Sequence, residues 1–128
     1  MRGQASHIVI ARIYDADDGS PAARLLVDRL WPRGISRRTH RLDAWIPEVA
    51  PSASLRQLFN HEPAKWSAFR KSYRAELREN PAAVEDCLVW CRKGPVRLLY
   101  AARDRKHNHA IVLQQHLQAK MKVDGRQP

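Results

Sequence analysis

Asp28, Asp104 and His107 are the side chains of this sequence best suited by type and neighbourhood to move a proton. An imidazole titrates near neutral pH, and a nearby carboxylate can orient it or act as acid or base itself. Each has a structural alternative. Asp28 can pair with an arginine and hold its loop, and a histidine near a helix start is commonly structural. Arg29 and Arg33 flank the rigid Trp31-Pro32 step, with Gly34 beside them. A guanidinium fork suits bidentate contact with phosphate or carboxylate, although an internal salt bridge to Asp28, Asp43 or Asp104 would use the same geometry. Trp31 can stack on a planar ligand or plug the end of a sheet. Asn108 can touch a ligand or cap the helix that follows it.

Other chemistry is disfavoured. The sequence lacks a glycine-rich phosphate loop, a dinucleotide fingerprint and a serine-nucleophile elbow, and it has five glycines in all. No cofactor is expected. His61, Asp104, His107 and His109 include enough ligand types for a metal, but their spacing matches no firm pattern, so no metal is expected. Cys87 and Cys91 lie four apart in a helical segment, a poor disulfide framework, and read as small buried hydrophobes.

These residues need elements to position them. His7 to Tyr14, Arg24 to Trp31 and Val96 to Ala101 are rich in β-branched and other apolar residues and read as three strands. Residues 15–21 form a turn-rich loop, and residues 32–41 a polar loop in which Gly34 can take a positive φ. Leu42 to Val49 reads as a short helical turn. Ser52 can cap a helix ending near Phe59, and Pro63 starts a longer one with Trp66, Phe69, Tyr73 and Leu77 on one face. A third helix runs from Pro81 to before Gly94, and a fourth from about Asn108 to Met121. The fold expected is α/β: a small, mostly parallel sheet of about three strands with four or so helices packed on it. The long helical crossover between the second and third strands favours a parallel pair. That brings the loops after Trp31 and Ala101 together at the sheet edge where such folds bind ligands.

Composition fits one globular domain, with a core from about residue 8 to residue 121 and a polar, frayed tail over 122–128; hydrophobic residues make up 44% and charged residues 28%. The first seven residues lack an apolar signal region, and no apolar run approaches membrane-spanning length, so the expected location is the cytoplasm, away from membranes. The net charge is +10. Its excess lies in residues 29–41, with five arginines and no acid, and in residues 92–106, with six basic residues against Asp104. Concentrated charge of this kind points to an anionic small molecule, with nucleic acid as a second candidate partner and an accessory protein-interaction role without catalysis as a third reading. Oligomeric state is left open.

Several strings resemble the YeaO-like family, small bacterial proteins carrying a domain of unknown function. They are Val27-Asp28-Arg29-Leu30-Trp31-Pro32-Arg33-Gly34, Ala50-Pro51-Ser52 with Leu55-Arg56, Phe59 with His61, the aromatics Trp66, Phe69 and Tyr73, and Leu99-Tyr100-Ala101-Ala102 with Asp104 and His107-Asn108. The resemblance spans about residues 8–117 and adds His61 and Tyr100 to the candidate ligand contacts. Asn60 stands where the family pattern has glycine, and Arg103 where it has lysine. The resemblance implies no particular activity, and no reaction type is favoured over another.

Overall fold

Three apolar segments in extended conformation must share their backbone hydrogen bonds, and here they do so around a central latecomer. The computed structural model describes residues 7–125; the expectations for residues 1–6 and for the last three residues of the tail lie outside them. The strands are β1 (Ile8–Arg12), β2 (Ala23–Leu26), β3 (Ala44–Trp45) and β4 (Val96–Tyr100). They form one sheet in the order β1-β4-β2-β3. Every pairing is parallel, with Ile8 opposite Val96, Ala23 opposite Val96, and Leu25 opposite Ala44.

The sheet has four strands instead of about three. The extra one arises where a helical turn was expected over 42–49: Asp43 N–H donates to the Arg24 carbonyl and Ile46 N–H to the Leu26 carbonyl, tying this segment to β2. Only Pro47–Val49 coils, as a 3-10 turn. The second strand also ends at Leu26, five residues earlier than expected. Beyond it Val27 N–H still reaches the Leu99 carbonyl, but the next amide of β4's extension, Ala101 N–H, donates to the Asp28 carboxylate at 3.0 Å. A side chain ends the ladder, which frees the chain to turn away at Arg29.

Helices α1 (Ala53–Phe59), α2 (Trp66–Arg78), α3 (Pro81–Lys93) and α4 (His109–Gly125) all pack on one face of the sheet. Alternation along the strands explains this. Ile8, Leu25, Val96 and Leu98 join the helices' Leu55, Phe69, Tyr73 and Leu113 in the main core, whereas Leu26 and Leu99 face the other way. Ser52 caps α1 through Leu55 N–H, as its sequence position predicts. The fourth helix runs to Gly125, so residues 122–125 are helical instead of frayed. None of the helices is long and apolar enough to cross a membrane among the described residues.

The opposite face is covered by loops. Residues 13–22 return the chain from β1 to β2, and residues 27–43 from β2 to β3, each crossing that face without a helix. Asp18 there holds the Arg97 guanidinium at 3.1 Å, Asp15 holds Arg105 at 2.7 Å, and Asp17 and Asp43 hold Arg41 at 3.3 Å. Arg24, 3% exposed, donates to the Arg41 carbonyl at 2.6 Å. The acidic loop thus pairs with Arg41, Arg97 and Arg105, three of the eleven basic residues in the two basic segments.

Candidate active or ligand-binding site

The parallel pairing of β2 with β4 places Asp28 beside Ala101, and between these strand ends and the helices lies a cleft of about 580 Å³. That volume is in the range of small-molecule sites. Its floor is polar. Asp28 Oδ2 accepts from Ala101 N–H, and Oδ1 is enclosed without a hydrogen-bonding partner, 3.2 Å from His109 Nε2. His109 Nε2 lies 3.0 Å from the Val27 carbonyl, which can only accept, so that nitrogen carries the proton in this arrangement. His109 opens α4 and its side chain leans back toward the helix start, as helical side chains do, which brings it to the strand end.

One wall is cationic. Arg29 donates from Nη2 to the Ala50 carbonyl at 3.0 Å and from Nε to the Pro51 carbonyl at 3.4 Å. Carbonyls hold the guanidinium in place without cancelling its charge. Arg56 of α1 lines the same cleft, is exposed, and its side chain forms no hydrogen bond or ion pair among the described residues. The other wall is aromatic: Phe59 stacks on Phe69 with ring centres 4.5 Å apart, and Trp66 behind them meets His107 edge-on at 5.4 Å. At the rim, Asn60 and His61 both have left-handed backbones, with φ of 47° and 55°. The first ends α1, a position that suits glycine or asparagine, which accounts for asparagine standing in for the family's glycine. Two such residues in succession are uncommon away from functional segments.

Of the residues expected at the site, Asp28, Arg29, Trp31, His61, His107 and Asn108 line this cleft. Asp104 holds the His107 ring from outside it, Oδ2 to Nδ1 at 2.9 Å, while Oδ1 accepts from the Lys106 and His107 amides. Asn108 is the cap of α4, its Oδ1 accepting from Ile111 N–H. Arg33 and Gly34 do not line the cleft: they sit on the exposed loop, where the Arg33 carbonyl accepts from the Tyr14 hydroxyl and Gly34 takes φ 78°. Tyr100 is 1% exposed and packs in the core below it. The Trp31 faces are already in use. Arg37 lies 4.2 Å over the ring, Trp45 packs edge-on at 5.3 Å, and the indole N–H donates to the Ile35 carbonyl. Trp45, Trp66 and Trp90 pack against the core as expected.

Sequence reasoning passed over Arg56 and Phe69 as cleft residues and weighed His109 only as a metal ligand. The available signal was positional: residues that begin a helix after a strand, or sit one turn before an aromatic such as Phe59, face the strand ends. Among the described residues, no group of three or more potential ligands is clustered to hold a metal. The thiols are poor nucleophiles, since burial pushes Cys87 up to about 12 and Cys91 to about 11.

The Lys106 amide and the His107 side chain hold the Asp104 carboxyl below its ordinary value. A lowered carboxylate pKa contributes stability that is complete above the ordinary value near 4 and disappears as pH falls through the lowered one. Thermal melts of Asp104→Asn should therefore fall below wild type at neutral pH and converge with it in acid. A gap that stays constant down to the acid limit would show that the carboxylate charge plays no part in the clamp.

These features define a small parallel α/β domain with a cationic, histidine-rich cleft at the carboxyl end of its sheet. The chain belongs to the family described as the inactive DUF488-N3 subclade, whose model matches residues 7–127. It is 40% identical to the uncharacterized protein YeaO of Escherichia coli (strain K12) over 107 residues, 84% of this chain and 93% of that protein. It is 34% identical over 112 residues to the uncharacterized protein Rv3073c of Mycobacterium tuberculosis (strain H37Rv), 88% of this chain and 94% of that one. The resemblance to YeaO-like proteins is thus borne out. No solved structure matches the chain significantly.

Proposed function

We propose that the cleft binds a small anionic ligand, phosphorylated or carboxylated, and that it is a binding site more than a catalytic one. The observation that carries this reading is the pair Arg29 and Arg56, two guanidinium groups facing one cleft with no carboxylate paired to either among the described residues. Arg29 is held rigidly and would fix the anion, while the freer Arg56 would close on it. His61 and His107 at the rim add hydrogen-bond donors. Asp28 and His109 below are positioned to accept or return a proton if chemistry occurs, and they are the pair to examine first if turnover is found.

Two considerations favour binding alone. Asp104 engages His107 Nδ1, and the family description carries the word inactive. The two free thiols suit a reducing compartment, and we place the protein in the cytoplasm.

Thermal shift with phosphate, pyrophosphate, sugar phosphates and dicarboxylates tests the reading. A ligand at 100 times its Kd adds about 2.7 kcal/mol, a shift of several degrees for a domain of this size. Arg56→Gln, at an exposed position, should leave the unliganded melting temperature near wild type and remove most of the shift. Full retention of the shift in this variant, or silence across the panel in the wild type, would refute the proposal.

A further inference from the structure

The cleft does not account for the positive charge on the helical side of the molecule. On α2, Arg70, Arg74 and Arg78 recur every fourth residue and so form one row, each step about 6 Å along the axis. On α4, His116 and Lys120 repeat the same spacing. The two rows meet: α2 packs along α4, and Arg74 Nη2 donates to Gln115 Oε1 at 3.2 Å. Ring contacts Trp66–His107 and Tyr73–His109 at one end, with Arg74–Gln115 further on, show that the helices run in the same direction from the cleft.

Among the described side chains, counter-ions are missing from this seam. None of Arg70, Arg74, Arg78 and Lys120 forms an ion pair among the described residues. Glu76 is turned away to Ser52, accepting from its amide and hydroxyl at 2.9 and 2.6 Å, and Glu79 pairs with none of these cations. Arg70 Nε and His116 Nε2 are enclosed with no hydrogen-bonding partner. Burial, together with nearby Lys120 and Arg78, keeps the His116 ring below its usual proton affinity. The cations are thus close enough to repel one another, and nothing within the described chain relieves them.

We propose that the α2–α4 seam is a docking strip for the phosphate backbone of a double-stranded nucleic acid, bound without regard to sequence. A regular row of guanidinium forks matches a regular row of phosphates. A single strand would call for aromatic platforms, and a membrane for several exposed large apolar groups; among the described residues α2 exposes neither, and α4 exposes only Val123, past Lys120. This strip is separate from the cleft and stands or falls independently of the ligand proposed there.

Fluorescence anisotropy of a short labelled DNA duplex and its RNA counterpart, titrated with the full chain between about 50 and 200 mM salt, reads the strip directly. The triple variant Arg74→Gln, Arg78→Gln, Lys120→Gln is compared with Arg33→Gln, Arg38→Gln, Arg103→Gln, which removes equal charge elsewhere. The seam triple should bind at least about tenfold more weakly and lower the log–log salt slope by about 2.7, close to 0.9 for each lost contact. The control triple should change the slope by less than half as much. Equal losses in both triples, an unchanged slope in the seam triple, or poly-glutamate competing as well as the duplex would overturn the proposal. If circular dichroism shows the triple misfolded, Lys120→Gln alone, at an exposed position, should lower the slope by about 0.9, and no change there overturns it equally.

Discussion

Phe69→Ala should lower the free energy of unfolding by about 3–5 kcal/mol, the ordinary cost of emptying an aromatic site in a packed interior. Phe69 is 4% exposed and stands at the centre of an aromatic row, 4.5 Å from Phe59, 5.7 Å from Trp66 and 5.8 Å from Tyr73. Its neighbours come from α1 and from the turns before and after it in its own helix, so they cannot all move inward together. The urea midpoint should fall with little change in slope, since the surface exposed on unfolding is nearly the same. Phe69→Leu keeps most of the volume and should cost well under half as much. Because Phe69 also lines the cleft, the alanine variant should lose anion binding beyond what its stability explains. A cost below about 1 kcal/mol would mean that the wall collapses or admits water freely, and that the cleft is softer than its packing indicates.

The second large effect concerns Asp28. Alanine there removes the acceptor of Ala101 N–H and the carboxylate beside His109, and a lost hydrogen bond to a charged group costs about 1.5–3 kcal/mol. Asparagine separates the two roles. Its amide oxygen can still accept from Ala101 N–H, while the negative charge is gone. Asp28→Asn should therefore lie within about 1 kcal/mol of wild type if the strand-ending hydrogen bond is what matters. If denaturant melts instead show asparagine and alanine equally damaging, the interaction with His109 dominates and the hydrogen bond to the strand is secondary.

Asp28 also shows where the sequence was readable and where it was not. Strands β1 and β4 are announced by β-branched and leucine-rich runs, and the face of α2 by Trp66, Phe69, Tyr73 and Leu77 at helical spacing. The parallel pairing followed from the length of the crossover, and with it the position of a cleft at Asp28 and His107. The run from Val27 to Trp31 sets apolar residues on both sides of Asp28 and Arg29, much as Arg24 sits among apolar residues in β2, so nothing local marks the strand's end. That end is set by a carboxylate meeting an amide 73 residues away. β3 is two residues long, too short for alternation to show, and it exists because Asp43 and Ile46 find carbonyls on β2. Arg33 is a ligand candidate by its place beside Gly34, yet the loop carrying it folds across the opposite face, where its Ile35 packs with Leu26. Pairing of Arg97, Arg105 and Arg41 with the acidic loop is long-range too, and composition counts cannot reveal it. Arg56 and His109 were hidden for a related reason: each is ordinary in its own helix and notable only for what the neighbouring strand ends bring near.

The strand order has a consequence for how this chain is made. β4 is the last strand in sequence and lies between β1 and β2. Until a ribosome has delivered it, β1 has no neighbour, and β2 has only the two-residue β3. Synthesis proceeds at about 5–20 residues per second, so the first strand waits several seconds, apolar and unpaired, before its partner exists. Pairings this distant in sequence also form slowly once they can form. The sheet is therefore completed only in a late step, when Val96–Tyr100 is inserted between β1 and β2.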